Sequence, residues 1–355
     1  IYSGILFGNI FLRNNKEGKR YNSKHNNTVR RQKKMMISLI CILIIAGLII
    51  MFLSANYLYK KTTYYKNISE FDNVLDKDKP IPKNLDIVNF GSVFGRFAFE
   101  YEADEHGYNF AMSPQSLSYD SRILKEYISH INENGIVIIT LPVFVFALLD
   151  YTDDAKNAKY YSFLSKENIL GYSKWKDMKY HRFPILNSGM KWLHIVKDSQ
   201  YRDYMGQRLS DITKQQALLN GENRIKGWCR QFGLKDTQTD NIPEEVKKCF
   251  DKNVKVVKDM IELALEHKLR PVIVSTPHSD ALNRHFSDEF VDAMLYQNVK
   301  KANKRDVPYF DYRNHPDFQK HYDWFINGCD WLTKDGREHF MELFYQDLSK
   351  YLGDE

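Results

Sequence analysis

A few short stretches of this chain hold side chains that could do chemistry. Gly91-Ser-Val-Phe-Gly95 places one hydroxyl, Ser92, in a glycine turn. Ser275-Thr-Pro-His-Ser279 offers one imidazole, His278, and Cys329-Asp330 sets a thiol beside a carboxylate. A serine attacks a carbonyl only with a base in hydrogen-bond reach, itself oriented by a third group. His278, His315 and His321 are the histidines that neighbouring loops could bring to Ser92. Cys329 has no base paired with it nearby in the sequence, so it reads as a structural thiol. Asp311 reads as a carboxylate that satisfies its own loop. No metal-ligand spacing, phosphate-cradling loop or dinucleotide fingerprint occurs, and no cofactor is expected.

The elements that would position these groups alternate. Leu85–Phe90 is strand-like, Asn109–Met112 is a short second strand, and Tyr119–Ile131 is a helix. Ile136-Val-Ile-Ile-Thr-Leu141 is a β-branched run of the kind buried on both faces of a sheet. Val246, Phe250, Val257, Ile261 and Ala264 recur at helical spacings over Pro243–Lys268, with Asn241 as a cap. The strand Pro271–Thr276, a helix over Asp288–Arg305, the strand Val307–Tyr312 and a helix over Thr333–Tyr351 follow. Such repetition predicts an α/β fold, a three-layer α/β/α sandwich on a parallel sheet. Ligands of these sheets bind beyond the carboxyl ends of the strands, where Gly91-Ser92-Val93 and Cys329-Asp330-Trp331 would lie.

Four blocks in order resemble the SGNH (GDSL-type) hydrolase and acyltransferase superfamily, in its membrane-anchored, cell-envelope branch. They are Asn89-Phe-Gly-Ser-Val-Phe-Gly95, Gly107–Ser116, Pro271–His278 with Val307–Tyr312, and Asn327–Gly336. The resemblance implies a nucleophilic Ser in the slot held by Val93, an Asp in that of Gly328 and a His in that of Trp331. No member of the triad is therefore intact. The block ending in Ser116, which contains Ser113, would contribute to an oxyanion site, and Leu141-Pro-Val-Phe-Val-Phe146 stands where the family carries Gly-x-Asn. Ser92, Ser113, His278, Cys329 and Asp330 are the candidate pocket residues. The family implies O-acylation or deacylation of cell-envelope polysaccharide. A chain with this triad could instead be a non-catalytic glycan-binding protein, or a scaffold for a multi-spanning membrane acyltransferase.

The 355 residues carry a formal charge of +6, much of it before the first long apolar run, so no nucleic-acid partner is needed to explain it. Residues 1–34 read as a basic cytoplasmic segment, or as translated sequence ahead of a start at Met35 or Met36. Residues 35–59 read as a transmembrane helix, since Met35 to Leu53 contains no charged residue. Arg30, Arg31, Lys33 and Lys34 outweigh Lys60, Lys61 and Lys66, which puts the N-terminus inside and the C-terminal domain outside a bacterial cell membrane. Residues 60–84 are a connector and 85–355 the SGNH-like domain, with an insertion or lid at about 151–241. Tyr160, Tyr161, Trp175, Tyr180, His181, Arg182, Trp192 and His194 there form an aromatic and cationic mixture that reads as core and interface. The four cysteines show no disulfide framework or zinc spacing.

Overall fold

The computed structural model describes residues 3–66, 80–102, 104–150, 154–200 and 202–353, with side chains of the first helix described from Val29 onward. That helix, α1, runs Ser3–Lys61. Within it Val29–Lys61 is long and apolar enough to cross a membrane, with a mean hydropathy of 3.1 over its most apolar window. Its side chains from Ile42 to Ile45 are all more than half exposed, so this apolar helix packs against no protein there. A single-pass membrane protein fits this helix, and a signal sequence would have the same composition. Helix therefore begins well before the 35–59 expected from the apolar run. Most of the expected connector, 67–79, lies outside the described residues.

The remainder, from Lys61 onward, is a separate compact unit. Its elements in chain order are β1 (Leu85–Phe90), α2 (Val93–Ala98), β2 (Gly107–Asn109), α3 (Leu117–Tyr127) and β3 (Ile131–Thr140). Then come α4 (Lys214–Phe232), α5 (Glu244–Glu266), β4 (Arg270–Ser275), β5 (Tyr309–Asp311) and α6 (Lys334–Leu352), with shorter helical turns between. All strand pairs are parallel and the order is β2-β1-β3-β4-β5. This is the flavodoxin-like doubly wound order, which has its switch point between β1 and β3.

Period-two alternation assigns the strand residues to two faces. Val88, Phe90, Val137, Ile139 and Ile273 enter a core with α3, α5 and the helical run 288–302. Ile87, Ile138, Val272 and Val274 enter a second core with Phe340, Phe344 and Leu348 of α6. Three layers result, as the alternating pattern predicts.

Several expected boundaries move. The second strand is Gly107–Asn109, not Asn109–Met112, although Phe110 N still donates to Asn89 O at 2.9 Å and Met112 N to Gly91 O at 3.3 Å beyond its end. Tyr119–Ile131 becomes α3 plus a 3-10 turn at Ile128–His130, and Ile131 already belongs to β3. The last strand shrinks to Tyr309–Asp311. Pro243, rather than Asn241, occupies the cap of α5, which starts at Glu244 with two acidic residues in its first turn. Region 151–241 contains short turns as far as Ile195, but it also holds α4, a full 19-residue helix capped by Thr213, whose hydroxyl accepts from Gln216 N. Within that region Tyr160 and Tyr161 are buried, whereas Trp175 and Trp192 stand exposed.

Candidate functional site

At the end of β1 the chain turns sharply at Gly91, whose φ of +129° favours glycine; a Cβ there would meet Thr140 Cβ at 2.9 Å. The buried Asp120 of α3 fixes the turn by accepting from Gly91 N at 3.0 Å and from Gln115 Nε2. Burial raises the Asp120 carboxyl to about 7. On the other side of the turn Asn89 donates to Gly95 O and to Asn109 Oδ1, while Asn109 donates to Phe99 O at 2.7 Å. These two amides hold the middle and the C-terminal end of α2 against the sheet. Ser92 caps α2 without a side-chain capping bond, and Val93 is its first residue, buried. The slot that the family resemblance gives to a nucleophile thus holds an aliphatic group packed inward.

The second block is a tight loop built on one amide. Asn327 Oδ1 accepts from the backbone N–H of Cys329, Asp330 and Trp331 at 3.0, 3.1 and 3.3 Å, and Asn327 Nδ2 donates to Asp330 Oδ1 at 2.6 Å. Gly328 sits at φ +75°, and a Cβ there would meet Ala217 Cβ of α4 at 2.7 Å and its Cα at 3.0 Å. No aspartate fits this slot on this backbone. Cys329 is fully buried with Sγ near Ala217 O; burial and then Asp330 push its thiol up to about 12. A thiol so held stays protonated and cannot serve as a nucleophile. Trp331 stacks on Phe97 at 5.9 Å and 9°.

Asp330 faces α4. Its carboxylate, wholly buried, pairs with Arg224 Nη2 at 2.5 Å. The Arg224 guanidinium lies between two indoles, 4.9 Å from Trp228 and 5.0 Å from Trp331. Gly221, one turn earlier, packs against Ala281 O so closely that a Cβ would approach it to 2.1 Å, which brings α4 down onto the loop after β4.

That loop carries His278, 2 % exposed. Its Nδ1 lies 3.3 Å from Asn283 Oδ1, and Asn283 Nδ2 is committed to Arg313 O at 2.7 Å and to His278 O and Gln319 Oε1 at 3.3 Å. With the amide nitrogen so occupied, Asn283 presents its oxygen, and Nδ1 is the protonated nitrogen. Burial, then the charge on Arg313, lowers the imidazole to about 3, so it is neutral. Nε2 is a buried acceptor with no partner, and Arg224 Nε is a buried donor with none.

Ser92, Val93, Ser113, His278 and Arg224 converge on one cavity of about 140 Å³ at the β1–β3 switch point, closed by Pro142–Val145, Trp228 and Phe232. Of the sequence candidates, Ser92, Val93, Ser113 and His278 line it; Gly328, Cys329, Asp330 and Trp331 do not, and Asp330 and Trp331 act on it through Arg224. Among the described residues no hydrogen bond joins Ser92 or Ser113 to a histidine. His315 and His321 lie elsewhere, beside Asp317 and Trp324. Asp311 serves its own loop, accepting from Arg313 N at 3.1 Å. Sequence reasoning missed Arg224, Trp228 and Asp120. The first two are signalled only by the four-residue step along α4. No group of three metal-ligating side chains occurs among the described residues, and the four cysteines are free thiols. No family model, curated protein or solved structure matches the chain.

Proposed function

We propose that this chain is a membrane-anchored, extracytoplasmic SGNH-like protein that binds carbohydrate of the bacterial cell envelope through the cavity at the β1–β3 switch point, without triad hydrolysis. The observation that supports this is the contrast within the site. A small, largely apolar cavity with a few convergent polar groups is the usual form of a ligand site. The positions that would carry a triad hold Val93, which gives the cavity an aliphatic wall, and Gly328 and Trp331, which pack against protein. Aliphatic and aromatic walls suit an acyl substituent, and a role beside a multi-spanning acyltransferase accords with the anchor.

Hydrolysis through Ser92 is the second reading, favoured by one observation. Ser92 shares the cavity with a neutral His278 whose Nδ1–H is oriented by Asn283, the form a general base needs. The two readings separate with a fluorophosphonate probe on the full chain in detergent. The binding reading expects no label on wild type, together with saturation of acyl-sugar signals by NMR. Labelling that Ser92→Ala abolishes would replace it with the enzyme. For topology, protease added to spheroplasts should digest a tag placed after Glu355; a protected tag would reverse the orientation.

A further inference from the structure

The 3-10 helix Gly189–Ile195 has three residues per turn, so side chains three apart share one edge. Met190, Leu193 and Val196 form one such edge and are 72 %, 42 % and 82 % exposed. Val196 N still donates to Leu193 O at 2.9 Å, which carries the spacing on to the third of them. Lys191, His194 and Lys197 form the next edge, and Trp192, 44 % exposed, stands on the last. Apolar side chains scattered singly over a surface need no explanation, whereas an ordered exposed row of them marks a contact surface.

The basic edge is where this helix meets the first residues of the compact unit. The His194 ring stacks on that of Tyr64 at 4.4 Å and 4°, and Lys191 Nζ lies 5.4 Å from the centre of the same ring. The Asp198 carboxylate accepts from the backbone N–H of Thr63 and, at 3.2 Å, of Tyr64. All of these residues belong to the unit that starts at Lys61. Thr63 follows Lys60, the first cation after the apolar run, by three residues, at most about 11 Å of chain. Where the apolar run spans a membrane, covalent reach alone therefore keeps Asp198 and His194 near the lipid headgroups.

We propose that this helix docks on the lipid bilayer. Met190, Leu193, Val196 and the Trp192 indole enter the boundary between headgroups and acyl chains, and Lys197, exposed and with no partner among the described residues, meets the lipid phosphates. This rests on the reading of the chain as membrane-anchored. An element that lies in the interface needs apolar and tryptophan side chains on one side and lysine on the other, and tryptophan is favoured at headgroup level. The docked edge holds the compact unit against the membrane at a second point besides the chain itself.

The test uses the full chain in nanodiscs of phosphatidylcholine and phosphatidylglycerol, one copy per disc, with ordinary or brominated acyl chains. Trp192 emission, taken as the difference between wild type and Trp192→Phe, should be lost in the brominated discs and should resist aqueous iodide in the ordinary ones. Met190→Glu combined with Val196→Glu changes only exposed side chains; it should restore that emission in brominated lipid, open it to iodide and keep the thermal transition. Should that variant fail to fold, the wild-type result decides alone. Trp192 emission that survives brominated lipid would overturn the docking, whether iodide quenches it, as on a free surface, or does not, as under a second protein. An alkaline carbonate wash of membranes separates this outcome from the anchor. A chain that stays in the pellet while Trp192 goes unquenched overturns the docking and leaves the anchor standing, and a chain released by the wash overturns both.

Discussion

Arg313, on the loop after β5, and Arg224, on α4, both lie over aromatic rings and pair with a carboxylate. Arg313, with its side chain 4 % exposed, donates from Nε to Asp311 Oδ1 and from Nη2 to Asp311 Oδ2, each at 3.2 Å. It also reaches Tyr296 OH, which donates to Asp311 Oδ2 at 2.5 Å, and no buried nitrogen of this guanidinium lacks a partner. Arg224 makes one tight pair with Asp330, lies about 5 Å from each of two indoles and leaves Nε buried without a partner. A closed network of this kind contributes rigidity. A network that leaves one buried donor unmet is held by fewer contacts and is easier to rearrange.

The largest effect should come from opening the closed network. Arg313→Met leaves Asp311 without its cation and should cost about 3 kcal/mol in chemical denaturation. The pair Arg224→Met and Asp330→Asn should cost only about 1 kcal/mol, because removing both partners strands neither. If the two sets of variants lost the same stability, the distinction between the networks would fail.

Gly328→Asp sharpens the contrast between the loop as built and the loop that the family pattern would need. The residue has φ +75° and its Cβ direction is filled by the Ala217 backbone, so strain and overpacking should together cost about 3 kcal/mol. An unchanged melting temperature would show that the loop readily adopts a triad-compatible path.

How much of this was legible follows from where each feature is encoded. Ile136 to Leu141 announces a buried strand because burial on both faces leaves no polar alternation, and its neighbours supply the rest of the sheet. Helix α4 escaped notice because its inward positions include Ala217 and Gly221, small residues chosen for close approach to the loop, and Arg224, which is buried only in part. Its apolar stripe is too thin to show at helical period. Phe110 to Met112 still bonds to Asn89 and Gly91, so the expected second strand differs in its bounds and not in its place beside β1. The cavity draws on the turn after β1, the segment after β3, α4 and the loop after β4. Ser92 and His278 could be picked out singly, but the sequence holds no local trace of their meeting with Arg224.

A further contrast concerns protons, between the buried acid behind the turn and the buried base beyond β4. Asp120, raised to about 7, keeps its proton in the folded state over a range in which the unfolded chain, with an ordinary aspartate near 3.8, has released it. Its contribution is present at low pH and is lost as pH rises from about 4 through 7. His278, lowered to about 3, refuses a proton that the unfolded chain binds below an ordinary histidine value of 6.5. Its contribution is present above that value and is lost as pH falls toward 3. Between about pH 4.5 and 6.5 the two slopes oppose, each tending to about 1.4 kcal/mol per pH unit. Asp120→Asn removes the falling slope, so its stability relative to wild type should climb by about 2 kcal/mol over that window. His278→Gln should show the reverse trend. Denaturation at pH 4.5, 5.5 and 6.5 measures both; profiles parallel to wild type would mean that the acid is ionised and the base protonated in the folded chain.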